Sequence, residues 1–359
     1  MIENILFLIL IISIIGAISQ LPILRIIQKK IHEKRIRTMP AMKCLKYGFR
    51  KDRDDVAITV GTIQNGKCNW TVYDKHGVEL PQEIHTYEIA SITKTITGAL
   101  VERAVQDGKI NIDDSIDKYL ELTENKNYPT IRELLTHTSG YRSIYIEKIM
   151  FKNLFRSKNL LRGITDKMII RRLGKIKSNK NKNWHYSNFN FAVLGVMLEK
   201  VYNTTYADLA NQFLEEQGMM GTHISTGKGD FKRYWKWNKN DAYLATGAIT
   251  SNIKDMFTYA QKQLEKKEPF CFTHKILKDV TTHYPCCSRV DAMGAAWRVD
   301  KKRGFIWHNG ATDYYKSYLG FCPKTNTAVI ILSNSDRSKN AIHIESNVGI
   351  KMLESLQIA

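Results

Sequence analysis

Acidic residues are scarce in this chain of 359 residues, where 35 Asp and Glu stand against 54 Lys and Arg. The resulting net charge of +19 comes from two stretches. Eleven basic and two acidic residues lie between Arg25 and Arg53, and twelve basic residues and one acidic residue lie between Lys148 and Lys182. Because the remainder is nearly neutral, the basic character belongs to two local surfaces and not to the whole chain.

Spacing typical of metal ligands is also absent. No cluster of His, Cys and Asp residues has the intervals of a metal site, so we expect no metal and no other cofactor. The six cysteines include the adjacent pair Cys286 and Cys287, a poor framework for disulfide bridges, and free thiols are the simpler interpretation. Free thiols favour a reducing compartment slightly.

The first segment of the chain has almost no charge. From Ile5 to Ile27 there is one charged residue, and this length is sufficient for a helix that crosses a bilayer. We therefore predict a membrane anchor over residues 1–28. A cleaved signal peptide is the alternative, with a small-residue cleavage site at Ala17-Ile18-Ser19, but the lack of an early Lys or Arg opposes it. Residues 29–54 form a basic arm that we expect to lie on anionic lipid head groups.

The second basic stretch, Lys148 to Lys182, has three interpretations. It is a solvated face in a chain rich in Lys and Asn, or it steers an anionic substrate toward a catalytic cleft. Nucleic-acid binding would require an interleaved recognition motif. The stretch has none, so we expect no nucleic-acid partner.

Strand patterns occur at both ends of residues 55–359, which contain no repeat and no low-complexity tract. Val56–Gly61 and Asn69–Tyr73 predict two strands joined by a hairpin turn at Asn65-Gly66. The late strands and a closing helix are predicted at Ala295–Val299, Phe305–His308, Tyr315–Phe321, Ala328–Ser333 and Ala341–Leu356.

Helical patterns dominate the middle of the chain, and residues 110–290 are expected to form an inserted all-helical part. Thr130 and Glu133 have the spacing of a capping box at the start of one helix. Further helices are predicted at Ser91–Gln106, Tyr141–Asn183, Phe189–Val201, Tyr206–Gln217 and Asp255–Glu265. Strands at both ends of a helical middle predict an α+β fold in which sequence-distant strands form one antiparallel sheet flanked by helices.

A candidate reactive pair lies in Ser91-Ile92-Thr93-Lys94. Positions i and i+3 share one face of a helix, so the Ser91 hydroxyl and the Lys94 amine are expected within hydrogen-bond reach. A lysine amine accepts a proton near neutral pH only when burial or a helix dipole lowers its pKa. The motif alone is common by chance, and its interpretation depends on the motifs that follow it.

Three further motifs follow Ser91: Leu134-Leu135-Thr136-His137-Thr138-Ser139-Gly140, Tyr186-Ser187-Asn188 and His308-Asn309-Gly310. In this order and spacing the chain resembles the serine beta-lactamases and penicillin-binding proteins, in the branch of class C beta-lactamases, D-alanyl-D-alanine carboxypeptidases and related esterases. The resemblance runs from about Val56 to about Asn334. It implies a beta-lactamase/transpeptidase-like fold whose active site lies between the sheet and the helical part.

The resemblance also implies roles in proton transfer. Ser91 is the expected nucleophile, and either Lys94 or Tyr186 takes its proton. Tyr186 passes a proton to the leaving group, and it could act as a base only if a neighbouring cation lowered its pKa. Asn188 would orient Lys94 and a substrate amide. His137 is expected to be structural, as this stretch mainly is in the family.

The third motif supplies the remaining contacts to substrate. The oxyanion is expected to bind the backbone N–H groups of Ser91 and Ala311, and Gly310 allows substrate to approach the strand closely. His308 replaces the lysine of the family's frequent Lys-Thr-Gly, so we expect weaker or pH-dependent recognition of a substrate carboxylate. Histidine occurs here in the carboxypeptidases and esterases of the family, which favours them over an efficient beta-lactamase.

These features predict a serine hydrolase that acts through an acyl-enzyme on a small-molecule, peptide or ester substrate, in particular a D-amino-acid peptide or ester. The alternatives are a beta-lactamase and a non-catalytic, membrane-tethered binding or scaffold protein of the same fold. We expect a single-pass membrane protein. The family mostly works outside the cytoplasm, whereas the basic residues after the predicted anchor favour a cytoplasmic catalytic domain.

Overall fold

The computed structural model describes residues 41, 43, 54–122, 127–156, 159–176, 182–270, 272–282, 288–335 and 344–358. The predicted anchor, residues 1–28, and nearly all of the basic arm, residues 29–54, lie outside this part of the chain. Within it, no helix has both the length and the apolar character that a membrane crossing requires.

Strands from both ends of the chain form one antiparallel sheet, which confirms the predicted α+β architecture. The strands are β1 Ile58–Gln64, β2 Lys67–Tyr73, β3 Glu79–Leu80, β4 Tyr87–Glu88, β5 His223–Ile224, β6 Ile249–Ser251, β7 Lys278–Thr282, β8 Val290–Met293, β9 Arg298–Asp300, β10 Phe305–Ala311, β11 Lys316–Cys322 and β12 Thr327–Ser333. In the described residues the main sheet has the order β3-β2-β1-β12-β11-β10-β9-β8-β7, and β4-β6-β5 form a small second sheet.

The β1–β2 hairpin turns where the sequence predicted it. Asn65 and Gly66 have positive φ angles of 52° and 75°, which suit the two central residues of a tight hairpin turn. The other edge of β1 pairs with β12, and the Ala57 N–H donates to the Asn334 side chain at 2.9 Å. The first and last strands among the described residues are therefore neighbours.

Helices occupy most of the middle of the chain. They are α1 Thr93–Gln106, α2 Ile131–Leu135, α3 Lys148–Arg156, α4 Asp166–Lys175, α5 Asn188–Tyr202, α6 Tyr206–Glu216, α7 Leu244–Gly247 and α8 Ile253–Leu264, followed near the C-terminus by α9 Ile344–Leu356. The predicted capping box is confirmed, since Thr130 Oγ1 accepts from the Glu133 N–H and the Glu133 carboxylate accepts from the Thr130 N–H.

Three local assignments differ from the prediction. Ser91 lies in a 3₁₀ turn, Ala90–Ile92, because Ala90 has a positive φ of 47° and the α-helix begins only at Thr93. The stretch Tyr141–Asn183 contains two separate helices, α3 and α4. Residues 110–290 are not all-helical, because β5, β6 and β7 fall within them; β7, an edge strand of the main sheet, has mostly polar, exposed residues that hide the strand pattern.

The core positions α1 between the sheet and the other helices. Eleven of the fourteen residues of α1 are buried, including Lys94. One hydrophobic cluster joins α1, α5 and α6 to α8, which packs on β1, β11 and β12, and a second covers the other sheet face with α9. A residue at the start of α1 is thus removed from water on every side except toward the cleft.

Candidate active site

Ser91 lies where the 3₁₀ turn meets strand β10. Ala90, directly before it, has a positive φ of 47°, a conformation that costs a non-glycine residue free energy and is concentrated at functional sites. The Ile89 carbonyl accepts a hydrogen bond from Ser317 Oγ at 2.7 Å, which joins this turn to β11. Ser91 itself is only partly buried, so its hydroxyl remains accessible from the cleft.

Gly310 permits the close approach of β10 to this turn. A Cβ at this position would overlap the Ile89 carbonyl oxygen and Ser317 Oγ, and would lie 2.9 Å from the Ser91 backbone nitrogen. Ala311, the next residue and the last of β10, is exposed. The predicted oxyanion donors, the N–H groups of Ser91 and Ala311, therefore belong to two segments that only a glycine lets come together.

The Lys94 amine has no exposed surface and lies against Ser91. Its Nζ is 3.2 Å from Ser91 Oγ and donates to the Thr246 carbonyl oxygen at 2.6 Å. Burial, reinforced by the positive charge of Arg298, lowers the pKa of Lys94 well below its usual value. The amine can thus be neutral at physiological pH, as a proton acceptor must be.

Tyr186 completes a three-residue cluster with Ser91 and Lys94. The Ser91 hydroxyl bonds to the phenol, and Lys94 Nζ lies 5.1 Å from the centre of the ring. Burial raises the pKa of Tyr186, while the charge of Arg298 and the bond from Ser91 partly oppose this rise. The cation acting on the phenol is therefore Arg298, and the resting phenol keeps its proton.

His137 supports the segment that carries Tyr186. Its Nδ1 accepts from the Ser187 N–H at 3.1 Å, its carbonyl accepts from the His185 N–H at 2.9 Å, and its ring is 4.6 Å from the Tyr186 ring. Burial, followed by the charges of Lys94 and Arg298, lowers the pKa of His137 well below its usual value. These contacts agree with the structural role expected for it.

Asn188 differs from its expected position. Its side-chain Nδ2 and backbone N–H both lie 3.3 Å from Ser143 Oγ, and among the described residues none of its hydrogen bonds reaches Lys94. Lys94 Nζ donates instead to the Thr246 carbonyl, although Asn188 was the predicted partner. Asn188 begins α5 and connects it to the cleft wall at Ser143.

His308 is buried, contrary to the expectation of a partly charged contact for substrate. It has no exposed surface, and its Nδ1–H donates to the Asn309 carbonyl at 2.7 Å. Burial and then the charges of Arg298 and Lys94 lower its pKa well below the usual value, so the ring is neutral at physiological pH. Nε2, left as an acceptor, has no partner among the described residues.

Arg298 is a central residue of the site that the sequence analysis missed. It is 2% exposed, its guanidinium carbon lies 5.4 Å from the Tyr186 ring centre, and its NH1 donates to Asn309 Oδ1 at 2.6 Å. Asn309 Nδ2 in turn donates to the buried Glu345 carboxylate at 3.3 Å. One feature of the sequence could have indicated Arg298: it is the single arginine in an otherwise apolar strand pattern.

Glu88 was also missed, although it lies three residues before the nucleophile. Its carboxylate accepts from Thr312 Oγ1 at 2.6 Å and from the Trp235 N–H. Burial raises its pKa to about 7. Since Thr312 follows Ala311 directly, Glu88 connects the segment before Ser91 to the other predicted oxyanion donor.

The arrangement can transfer an acyl group. Lys94 can accept the Ser91 proton, the neutral Tyr186 phenol can donate one, and two backbone N–H groups can bind a developing oxyanion. The opposite directions of the Lys94 and Tyr186 pKa shifts favour Lys94 as the base that deprotonates Ser91.

Replacing Lys94 with Ala should slow acylation of Ser91 by about 10²–10⁴-fold, the usual effect of losing a general base. In the wild type, the neutral amine predominates above its lowered pKa, so the acylation rate should be level above that pKa and fall below it. Arg298→Leu should raise the Lys94 pKa and move this acid limb to higher pH.

The measurement is the rate of fluorophosphonate labelling across pH. Arg303→Leu is the matched control, because it removes an arginine that pairs with Asp300 and Glu354 and is not among the charges acting on Lys94. An acid limb that stays in place in Arg298→Leu would contradict the assigned influence of Arg298 on Lys94.

Gly310→Ala should separate β10 from the Ser91 turn. We expect a loss of about 1–3 kcal/mol in unfolding free energy from overpacking, and a fall of about 10²-fold or more in acylation rate from the displaced oxyanion donor. Gly247→Ala is the control, since a Cβ there meets nothing closer than 3.6 Å. Equal acylation rates in the two variants would show that close approach at Gly310 is not required.

The chain matches a family model described as Beta-lactamase over residues 49–347. Among curated proteins, Protein flp of Staphylococcus aureus is 24% identical over 276 residues, which cover 69% of this chain and 52% of that protein. The chain spans about half the length of the curated relatives that it matches.

Solved structures share the fold. A beta-lactamase/D-alanine carboxypeptidase from Yersinia pestis aligns with a TM-score of 0.70 at 17% identity, over 92% of this chain and 99% of that one. An octameric penicillin-binding protein homologue from Pyrococcus abyssi aligns with a TM-score of 0.64 at 18% identity, over 84% of this chain and 73% of that one. With the family model matching most of its length, the chain belongs to the Beta-lactamase family.

Proposed function

We propose that the protein is a serine hydrolase that forms an acyl-enzyme on Ser91 and acts on an amide or ester, in particular a D-amino-acid peptide or ester. The observation that carries this proposal is the Lys94 amine, which is wholly buried and lies 3.2 Å from the Ser91 hydroxyl oxygen. A serine that lies beside a buried lysine of lowered pKa is an activated nucleophile, because the lysine can accept the hydroxyl proton.

Acylation follows from the contacts of the site. Ser91 Oγ attacks the substrate carbonyl carbon as its proton passes to Lys94 Nζ, and the oxyanion binds the N–H groups of Ser91 and Ala311. The bond to the leaving group then breaks as Tyr186 donates its proton, and Lys94 returns a proton to Tyr186. In deacylation a water molecule attacks the carbonyl carbon of the acyl-enzyme ester as its proton passes to Lys94. The bond to Ser91 Oγ then breaks as Tyr186 donates a proton to Oγ, and Lys94 returns a proton to Tyr186.

The His308 ring bears on substrate choice. Where a lysine would present a fixed positive charge, the neutral, buried imidazole offers only the acceptor atom Nε2. One charged hydrogen bond contributes about 1.5–3 kcal/mol, so a substrate that depends on a carboxylate clamp should react about tenfold to a hundredfold more slowly.

Two alternatives remain as proposals of lower rank. A beta-lactamase would use the same residues, and the structural neighbour from Yersinia pestis is described as a beta-lactamase/D-alanine carboxypeptidase. A non-catalytic binding or scaffold protein would not need a neutral lysine beside a serine, and the joint presence of Ser91, Lys94 and Tyr186 opposes it.

Incubation with a fluorophosphonate should attach one label, on the peptide that contains Ser91, as read by mass spectrometry. Ser91→Ala should abolish the adduct, whereas Ser355→Ala, at an exposed serine of α9, should leave it intact. In the same preparations, wild type should hydrolyse a D-alanyl ester faster than a chromogenic cephalosporin, and His308→Lys should narrow this difference.

Labelling that persists in Ser91→Ala would refute the nucleophile. Rapid cephalosporin hydrolysis by the wild type, at a rate unchanged in a His308→Lys variant of similar melting temperature, would favour a beta-lactamase over a D-amino-acid peptide or ester hydrolase. Absence of both labelling and hydrolysis would favour the scaffold protein.

We also propose that residues 1–28 anchor the protein in a membrane as a single span, with the catalytic domain outside the cytoplasm. The support is the nearly uncharged segment from Ile5 to Ile27, which is long enough to cross a bilayer. The positively charged arm that follows favours the opposite orientation.

Deleting residues 1–28 should move the protein out of the membrane fraction that resists alkaline carbonate. This treatment removes proteins that are bound only to the surface, so it separates an inserted anchor from the basic arm. Carbonate resistance that survives the deletion would refute the anchor. Protease treatment of sealed vesicles, with the full chain, then identifies the side that the catalytic domain occupies.

A further inference from the structure

Exposed apolar side chains are concentrated in residues 144–160. Phe155 is 87% exposed, Ile146 71%, and Phe151 and Leu154 63% each, and Ile144 and Leu160 are also exposed. Single exposed apolar side chains are ordinary on a protein surface. Several within one short segment are typical of an interaction site. We call this surface, formed by α3 and its flanking residues, the α3 patch.

The α3 patch belongs to a firmly packed element. Asn153 and Met150 face inward, and Asn153 Nδ2 donates to the carbonyls of Leu160 and Arg162 at 3.1 and 2.6 Å. Before the helix, the buried Glu147 carboxylate pairs with Arg172 of α4 at 2.6 Å. Because the inner face is fixed by these contacts, the outer face presents Phe151 and Phe155 to solvent in a defined orientation.

The charges around the α3 patch have one sign. Lys148 and Lys152 are exposed on the same helix, and Arg142 is exposed just before it. Glu147, the one acidic residue of residues 142–162, is buried and paired with Arg172. An apolar face among lysines and arginines complements an anionic lipid surface, whereas a second copy of the chain would bring like charges together.

We propose that the α3 patch is a membrane-contact site, which lies flat on an anionic bilayer and inserts Phe151, Leu154 and Phe155 among the lipid head groups. It is separate from residues 1–28, which would cross the bilayer. A lipid contact at the α3 patch also accounts for part of the second basic stretch, Lys148 to Lys182, for which three interpretations were open.

The position of the α3 patch links it to the cleft. Ile144 follows Ser143, whose hydroxyl bonds to Asn188 at the start of α5, beside Tyr186. The patch therefore begins one residue from the cleft wall. If the proposed function holds, the cleft opens beside the head groups and takes acyl donors that are attached to, or held at, the membrane surface.

The test uses the full chain in vesicles, with p-benzoylphenylalanine replacing Phe155 as a photocrosslinker. The same probe in place of Val78, which is 60% exposed beside the edge strand β3, is the matched control. Both variants keep residues 1–28, so the anchor tethers them equally. Vesicles of phosphatidylcholine alone and of phosphatidylcholine with phosphatidylglycerol are compared, and lipid adducts are measured by mass spectrometry.

We expect several-fold more lipid adduct at position 155 than at position 78 in the anionic vesicles, with a loss at high salt or in Lys148→Glu/Lys152→Glu. That double variant should label with fluorophosphonate at the wild-type rate. Equal adduct at the two positions, equal adduct in both vesicle types, or crosslinking to a second protein chain would each overturn the proposal. Because the crosslink does not require Ser91, repeating it in Ser91→Ala separates this result from that of the proposed function.

Discussion

A lysine amine that is sealed from water forms the centre of this structure. Burial disfavours the charged form of an amine, and it lowers the pKa of Lys94 well below its usual value. The Thr246 carbonyl and the Ser91 hydroxyl provide the hydrogen bonds that a neutral Lys94 amine still requires. The burial of α1 therefore contributes to the chemistry of the site, because it lowers the Lys94 pKa, as well as to the packing of the core.

The surroundings of Lys94 add a second constraint, the buried guanidinium group of Arg298. Arg298 acts on Lys94, Tyr186, His137 and His308, and in each case it disfavours further positive charge or favours negative charge. Its own partner is Asn309, which bonds in turn to Glu345. These hydrogen bonds hold the Arg298 guanidinium beside the Tyr186 ring.

Much of the site could be predicted because its motifs are local. Ser91 and Lys94 are three residues apart, and a 3₁₀ turn followed by an α-helix brings them together as a regular helix would. Arg298 could not be found in this way, since its place beside Tyr186 brings strand β9 against a segment that is far away in the sequence.

The incorrect predictions for His308 and β7 also concern features that depend on contacts between residues far apart in sequence. Burial of His308 depends on which residues cover β10, and no local pattern contains that information. The edge strand β7 was missed because its exposed residues lack the apolar alternation that identifies half-buried strands. Fold class was easier to predict, because the alternation of strands and helices is distributed over the whole chain.

The pairing of β1 with β12 has a consequence for how the domain is made. Contacts between residues far apart in sequence form slowly, because a long loop must close before they stabilise anything. The Ala57–Asn334 hydrogen bond spans 277 residues, and the approach of Gly310 to Ser91 also joins distant parts of the chain. During synthesis from the N-terminus, Ser91 and Lys94 emerge long before β10 and β12 do. The nascent chain therefore remains catalytically silent until almost all of the domain has left the ribosome.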